Sequence, residues 1–154
     1  MMPLQAALRW TLAGVLACAS LAHAAEIGQI KVSKGTVTLV RDGQSRAGNA
    51  GMRVQASDVV KTGADGSVGI TMSDSSLLSL GPNSVLSLDR YEFDSTTHRG
   101  AFDASLRNGS MAVVSGSIAK QSPDAMTVRT PFAVLGVRGT EFVVSTNEPL
   151  SATR

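Results

Sequence analysis

Cysteine is nearly missing from this chain: Cys18 is the only one in 154 residues. A disulfide framework is therefore excluded, and stability has to come from a packed core. Aromatic residues make up only 4%. Trp10 lies in the N-terminal apolar run, which leaves Tyr91, Phe93, Phe102, Phe132 and Phe142 for the rest of the chain. A sugar-binding groove usually offers aromatic platforms, so this scarcity weighs against one. An excess of one charge is also missing. Lys and Arg number 14 against 12 Asp and Glu, and the signs are interspersed through Lys31, Lys34, Arg41, Asp42, Arg46, Asp58, Lys61 and Asp65. Proteins that bind nucleic acid cluster Lys and Arg on one face, so no nucleic-acid partner is expected. No apolar run reaches the ~20 residues of a membrane-spanning helix.

The longest apolar run is Trp10 to Ala22, and it follows a segment, Met1 to Arg9, with one positive charge and no acid. Ala22-His23-Ala24 supplies the small-x-small pattern of a signal-peptidase site. Residues 1–24 are therefore expected to be a cleaved secretory signal and are set apart from the fold. A second reading takes Val15-Leu16-Ala17-Cys18 as a lipobox, with Cys18 as the site of a lipid anchor. Either route places the protein in the periplasm or outside the cell. Residues 25–154, about 130 in number, suit one domain. Residues 147–154 look like a flexible tail, leaving 25–146 as the β-domain.

What is present is short apolar strands. Ile30 and Val32, then Val37 and Leu39, alternate with polar residues at period two, the mark of a half-buried strand. Val59-Val60, Val68/Ile70/Met72, Leu77-Leu78/Leu80 and Val85-Leu86/Leu88 continue the series. Gly35, Asp42-Gly43, Gly63, Asp65-Gly66, Asp74 and Gly81-Pro82-Asn83 punctuate it as turn residues should. Tyr91–Phe93 and Ala101–Arg107 form a candidate hairpin with Phe93 and Phe102 on related faces, packing across strands rather than offering a ligand platform. Asn108-Gly109 is a further turn signal. Only Ile118 to Asp124 could hold a short helix or an irregular patch. The fold class is thus all-β, a single domain of short stacked strands. Ser76-Leu77-Leu78-Ser79-Leu80 returns as Ser84-Val85-Leu86-Ser87-Leu88 eight residues later. This weak repeat favours a solenoid-like sheet, with a β-sandwich as the alternative.

Several segments in fixed order carry a family resemblance: Val59-Val60-Lys61-Thr62-Gly63, Gly66–Ile70, Asp74–Leu80, Gly109-Ser110-Met111, Val128-Arg129-Thr130-Pro131 and Val137-Arg138-Gly139-Thr140-Glu141-Phe142. Together they resemble the FecR domain family over residues 55–146. The resemblance implies an extracytoplasmic all-β domain. In iron-uptake regulators it belongs to a membrane-spanning anti-sigma factor that receives a signal from an outer-membrane transporter. Here only nine residues precede the apolar run and twelve follow Phe142, so no direct sigma-factor contact is expected. The module carries over, and the circuit does not.

No arrangement of residues suggests catalysis. His98 stands alone in a polar loop, and a catalytic triad needs a positioned base beside a nucleophile. The carboxylates Asp58, Asp65, Asp74, Asp89, Asp94, Asp103 and Asp124 are scattered singly, mostly at turns, where Asp bonds the local backbone. Metal sites want clustered ligands. No catalytic residue, cofactor or metal is therefore expected. The motif residues Thr130, Pro131, Val137, Arg138, Gly139, Thr140 and Phe142 are expected to be structural, with Gly139 at a bulge or tight turn and Arg138 paired with an acid such as Glu141 or with a turn carbonyl. The expected function is a non-enzymatic interaction module whose partner is another envelope or secreted protein. The alternative is a cell-wall or polysaccharide-binding accessory domain. Gly139→Val is expected to abolish soluble folding; recovery of a folded, protease-resistant variant would contradict the structural role of that glycine.

Overall fold

The computed structural model describes residues 24–138 and 141–146. The leader with Cys18, the pair Gly139 and Thr140, and the tail 147–154 lie outside the described residues. The elements in chain order are β1 (Glu26–Lys34), β2 (Val37–Arg41), β3 (Gln44–Ala47), β4 (Arg53–Gln55), β5 (Val59–Thr62), β6 (Ser67–Met72), β7 (Leu77–Leu80), β8 (Val85–Phe93), β9 (Gly100–Asn108), β10 (Ser110–Val114), α1 (Ser117–Gln121), β11 (Met126–Arg129), β12 (Val134–Gly136) and β13 (Glu141–Ser145). They build two sheets. The first runs β4-β1-β6-β7-β10-β13 and the second β3-β2-β5-β8-β9-β11-β12. Every pairing is antiparallel except β9 with β11, which the chain reaches by leaving through β10 and α1.

The all-β expectation holds, and of its two architectures the sandwich is the one observed. The repeat that favoured a solenoid splits between the sheets. Its copy Ser76–Leu80 contains β7 of the first sheet, and Ser84–Leu88 opens β8 of the second. Gly81-Pro82-Asn83 turns the chain across the core, so Leu78 and Leu80 from one sheet and Leu86 and Leu88 from the other bury into one interior. The repeat period records a sheet-to-sheet crossing rather than a stacked rung. One solenoid-like trait survives: from β5 onward, strands taken in chain order advance along both sheets toward the β12/β13 end.

Side-chain alternation builds the core. Ile30, Val54, Ile70, Leu78, Met111 and Val113 come from the first sheet, and Leu39, Val60, Leu86, Leu88, Phe102 and Leu106 from the second, each at 1% exposure or less. Burying each such side chain stabilises the fold by roughly 1.5–3 kcal/mol, which is how a domain without disulfides holds. Phe102 pairs with Tyr91 across the β8–β9 hairpin and meets its ring edge-on at 5.4 Å. The Asn108-Gly109 signal marks a corner between sheets instead of a hairpin: β9 belongs to the second sheet and β10 to the first. Gly109 takes φ +90° there, and a Cβ on it would strike Ser84. Helix α1 overlaps the patch Ile118 to Asp124 where a short helix was possible. Strands β3 and β4 carried no alternating signal, because β3 is exposed along its whole length and β4 buries only Val54.

Two buried carboxylates tie the strands together. Asp58, 1% exposed, takes both Nε (2.8 Å) and Nη2 (2.7 Å) of Arg41 and the backbone N–H of Gln55. Asp74, also 1% exposed, accepts from the Ser76 N–H and hydroxyl, from the Ile118 N–H at 3.3 Å and from the Tyr91 hydroxyl at 3.2 Å. The Asp74 N–H in turn donates to the Tyr91 oxygen at 2.8 Å. The β6–β7 loop, β8 and α1 thus converge on one carboxylate. Gly116 makes this approach possible, since a Cβ there would overlap the Asp74 carbonyl and the Ser76 nitrogen.

Burial, with the neighbouring Asp74 carboxylate, raises the Tyr91 phenol above the ordinary tyrosine range. A proton held more tightly in the folded state gives stability that is intact below the unfolded tyrosine pKa of about 10 and is lost as pH rises beyond it. Tyr91→Phe is expected to cost about 1–3 kcal/mol near neutrality, because the Asp74 N–H loses its acceptor. It should also flatten the alkaline fall of the urea midpoint above pH of about 10. A variant that keeps the wild-type slope would show that Tyr91 does not govern it.

Candidate functional site

The described residues of the motif segment, 130–138 and 141–142, lie at one end of the sandwich. Strands β11 and β12 make a hairpin with Val128 opposite Leu135 and Arg129 opposite Val134. Thr130 closes its turn. Its backbone N–H donates to the Ala133 carbonyl at 2.8 Å, and its hydroxyl oxygen accepts from the N–H groups of Phe132 (3.3 Å) and Ala133 (3.0 Å). Pro131 fixes φ just after it, as suits the second position of a turn. Phe132 stands at the tip, 81% exposed.

Six consecutive residues, Pro131 to Gly136, are exposed, and each is apolar or glycine. A run of this kind is an error in a surface unless it has a use. Val134 is 67% exposed, and Leu135 reaches 36%. Beside the arm, a shallow groove of about 250 Å³ runs between Leu135–Arg138 and Phe142–Val144. Val137 anchors its floor: the side chain is buried, and its N–H donates to the Met126 carbonyl at 3.0 Å. Phe142 is half-buried against the core, and Val144 is buried within it.

Strands β12 and β13 are the outermost strands of their sheets. They belong to different sheets and do not pair with each other. Arg138 pairs with Asp124 at 3.4 Å, not with Glu141. Both groups are largely exposed, and such a pair contributes at most about 1 kcal/mol. Gly139 and Thr140 lie outside the described residues.

The opposite end is finished differently. Its outermost strands carry Gln44, Ser45 and Arg46 on β3, and Arg53, which faces Glu26 at 3.6 Å, on β4. Polar and charged side chains on an edge deter pairing with another chain. Among the described residues, β12 itself carries no polar or charged side chain. The structural expectation for Thr130, Pro131, Val137, Arg138, Gly139, Thr140 and Phe142 says nothing of the exposure of Phe132, Val134 and Leu135. The available signal was the unbroken apolar run after Thr130-Pro131, with no polar residue to give it a solvated face.

The remaining polar features sit apart from this end. His98 occupies the β8–β9 turn and stacks on Phe93 at 6.3 Å. Beside it lies an open hollow of about 670 Å³ whose Arg90 and Glu92 pair with each other at 3.1 Å. Asp94 bonds local backbone, and the N–H groups of Thr96 and Thr97 lower its pKa, whereas Asp65 has its pKa lowered by the N–H of Thr36, distant in sequence. Among the described residues no three His, Cys, Asp or Glu side chains cluster as metal ligands would. No helix among them is long and apolar enough to cross a membrane.

A family model described as FecR protein matches residues 58–153, well over half of the chain. The chain belongs to the FecR protein family. The match spans the second sheet from β5 onward, the Asp74 cluster, the β11–β12 arm and β13. No curated protein and no solved structure matches the chain. FecR membership supports a signalling-related domain of a family that is generally extracytoplasmic or membrane-associated.

Thr130→Val keeps the shape of the side chain and removes the acceptor for two N–H groups. It is expected to raise hydrogen exchange at Phe132 and Ala133 at least about tenfold, corresponding to roughly 1.4 kcal/mol of local stability. The global melting temperature should move little. Unchanged exchange would show that Pro131 and the Ala133 carbonyl bond suffice to hold the turn.

Proposed function

We propose that this FecR domain is a non-enzymatic, extracytoplasmic interaction module and that the β11–β12 arm is where its partner docks. The observation that carries this reading is the contrast between the two ends of one sandwich: charged edges at β3/β4, and a bare apolar arm on an outermost strand at β12. An extended segment of another envelope or secreted protein can add to β12 through main-chain hydrogen bonds and lay apolar side chains against Phe132, Val134 and Leu135. That is strand addition, in which the backbone supplies affinity and alternate side chains supply specificity. The N-terminal features expected of a secretory signal, with a lipid anchor at Cys18 as the second route, support the compartment. The scattered carboxylates and the single loop histidine support the absence of catalysis.

A second reading rests on the hollow beside Phe93 and His98. A stacked pair of rings next to charged and hydroxyl groups is the kind of surface that holds a cell-wall polysaccharide. Its charges are already paired, which leaves fewer groups to recognise a sugar.

Capture from the extracytoplasmic fraction separates the two. The domain is expected to retain a defined membrane or secreted protein, and Phe132→Asp or Val134→Asp should weaken that capture at least about tenfold while leaving the melting temperature unchanged. Retention on purified glycan, lost on Phe93→Ala and unaffected at Phe132, would favour the second reading instead.

A further inference from the structure

Among the described residues, exposed large apolar side chains occur in two places only. Phe132, Val134 and Leu135 belong to the arm. Val32 (49%), Leu77 (44%), Val114 (40%) and Val143 (72%) all lie on the outer face of the first sheet. Strand register orders that face into rows. One row reads Val143, Ala112, Ser79, Gly69, Val32 across β13, β10, β7, β6 and β1. The next reads Glu141, Val114, Leu77, Thr71, Gln29. The second sheet turns a different outer face to solvent, one that carries Lys61, Arg90, Glu92 and Asp103.

On each of the three central strands the two rows present one larger and one smaller side chain. The pairs are Val114 and Ala112 on β10, Leu77 and Ser79 on β7, and Thr71 and Gly69 on β6. We propose that this face takes a second copy of the chain. A two-fold axis running across the strands between the rows keeps each strand over its own counterpart and exchanges the rows. Val114 of one copy then sits over Ala112 of the other, Leu77 over Ser79, and Thr71 over Gly69. Large side chains meet small ones at all three positions, as interdigitated sheet faces about 10 Å apart require.

No charged side chain lies on these three central strands in either row, so stacking strands no charge away from water. Glu141 and Gln29 fall at the margins, giving an apolar centre with a polar rim. Five strands at about 4.8 Å and five residues at about 3.4 Å give a face of roughly 24 by 17 Å, or about 800 Å² for the two copies together. That is below the size of a stable specific interface, so the dimer is weak and depends on concentration. This surface is separate from the arm and leaves it open to a different partner.

The test is sedimentation and light scattering of the purified chain from about 1 µM to about 1 mM. The expected result is a mass that rises from one copy toward two across that range. Ser79→Arg places a cation at the centre of the face on an already exposed position; it is expected to stay at one copy throughout, with unchanged circular dichroism. Phe132→Asp is expected to dimerise as the wild type does, which separates failure here from failure of the arm as a docking site. A wild-type mass fixed at one copy, a Ser79→Arg protein that dimerises equally well, or assembly past two copies without a dimer step would each overturn the proposal.

Discussion

The structure depends on a carboxylate almost wholly withdrawn from water. Asp74 leaves β6 at a turn, and its two oxygens collect a hydroxyl and a backbone N–H from Ser76, a phenol from the opposite sheet and an N–H from the only helix among the described residues. Burying an ionised group is costly unless its lone pairs are filled. Here they are filled by donors far apart in the chain, so the charge is tolerated only when the β6–β7 loop, β8 and α1 are all in place. That makes the cluster a condition on the fold as a whole: an alternative packing of the same apolar strands would strand the charge. Asp58 does the same for β2, β4 and β5 with Arg41 as counter-ion.

Much of the strand inventory was legible in the sequence, because period-two alternation directly records which face of a strand is buried. Val68-Ile70-Met72 and Leu78-Leu80 alternate as written and bury as written. Sheet membership was not legible. The repeat at Ser76 and Ser84 has the same appearance whether the second copy stacks on the first or faces it across the core, since both arrangements bury the same leucines. Asn108-Gly109 announces a turn without saying whether the chain returns to its own sheet. Strands β3 and β4 were silent because they pair through backbone and bury almost nothing. Asp74 was visible as a turn residue, and its distant partners Tyr91 and Ile118 were not, because no local pattern encodes contacts of that span.

The motif segment shows the same division. Thr130 and Pro131 were expected to serve the fold, and they do close a turn. What that turn carries was hidden by the general expectation that apolar runs go inside. Val134 and Leu135 have the composition of a core strand, but β12 comes last in its sheet and both side chains are exposed. Whether such residues are interior or surface is decided by how far the sheets extend, which is a property of the assembled molecule. The end of the molecule that could least be read from local pattern is the one with the most exposed apolar surface.

The steady advance of the chain along both sheets has a consequence for how the molecule comes into being. In a sandwich built by long returns, the first strand waits for the last before it is covered. Here each strand from β5 onward pairs with a strand that already exists when it arrives. A chain that emerges amino end first can consolidate behind the point of emergence, and the guarded β3/β4 end forms before anything sticky exists. The arm is synthesised after β1 to β10, so the least protected part of the surface spends little time without a folded body behind it.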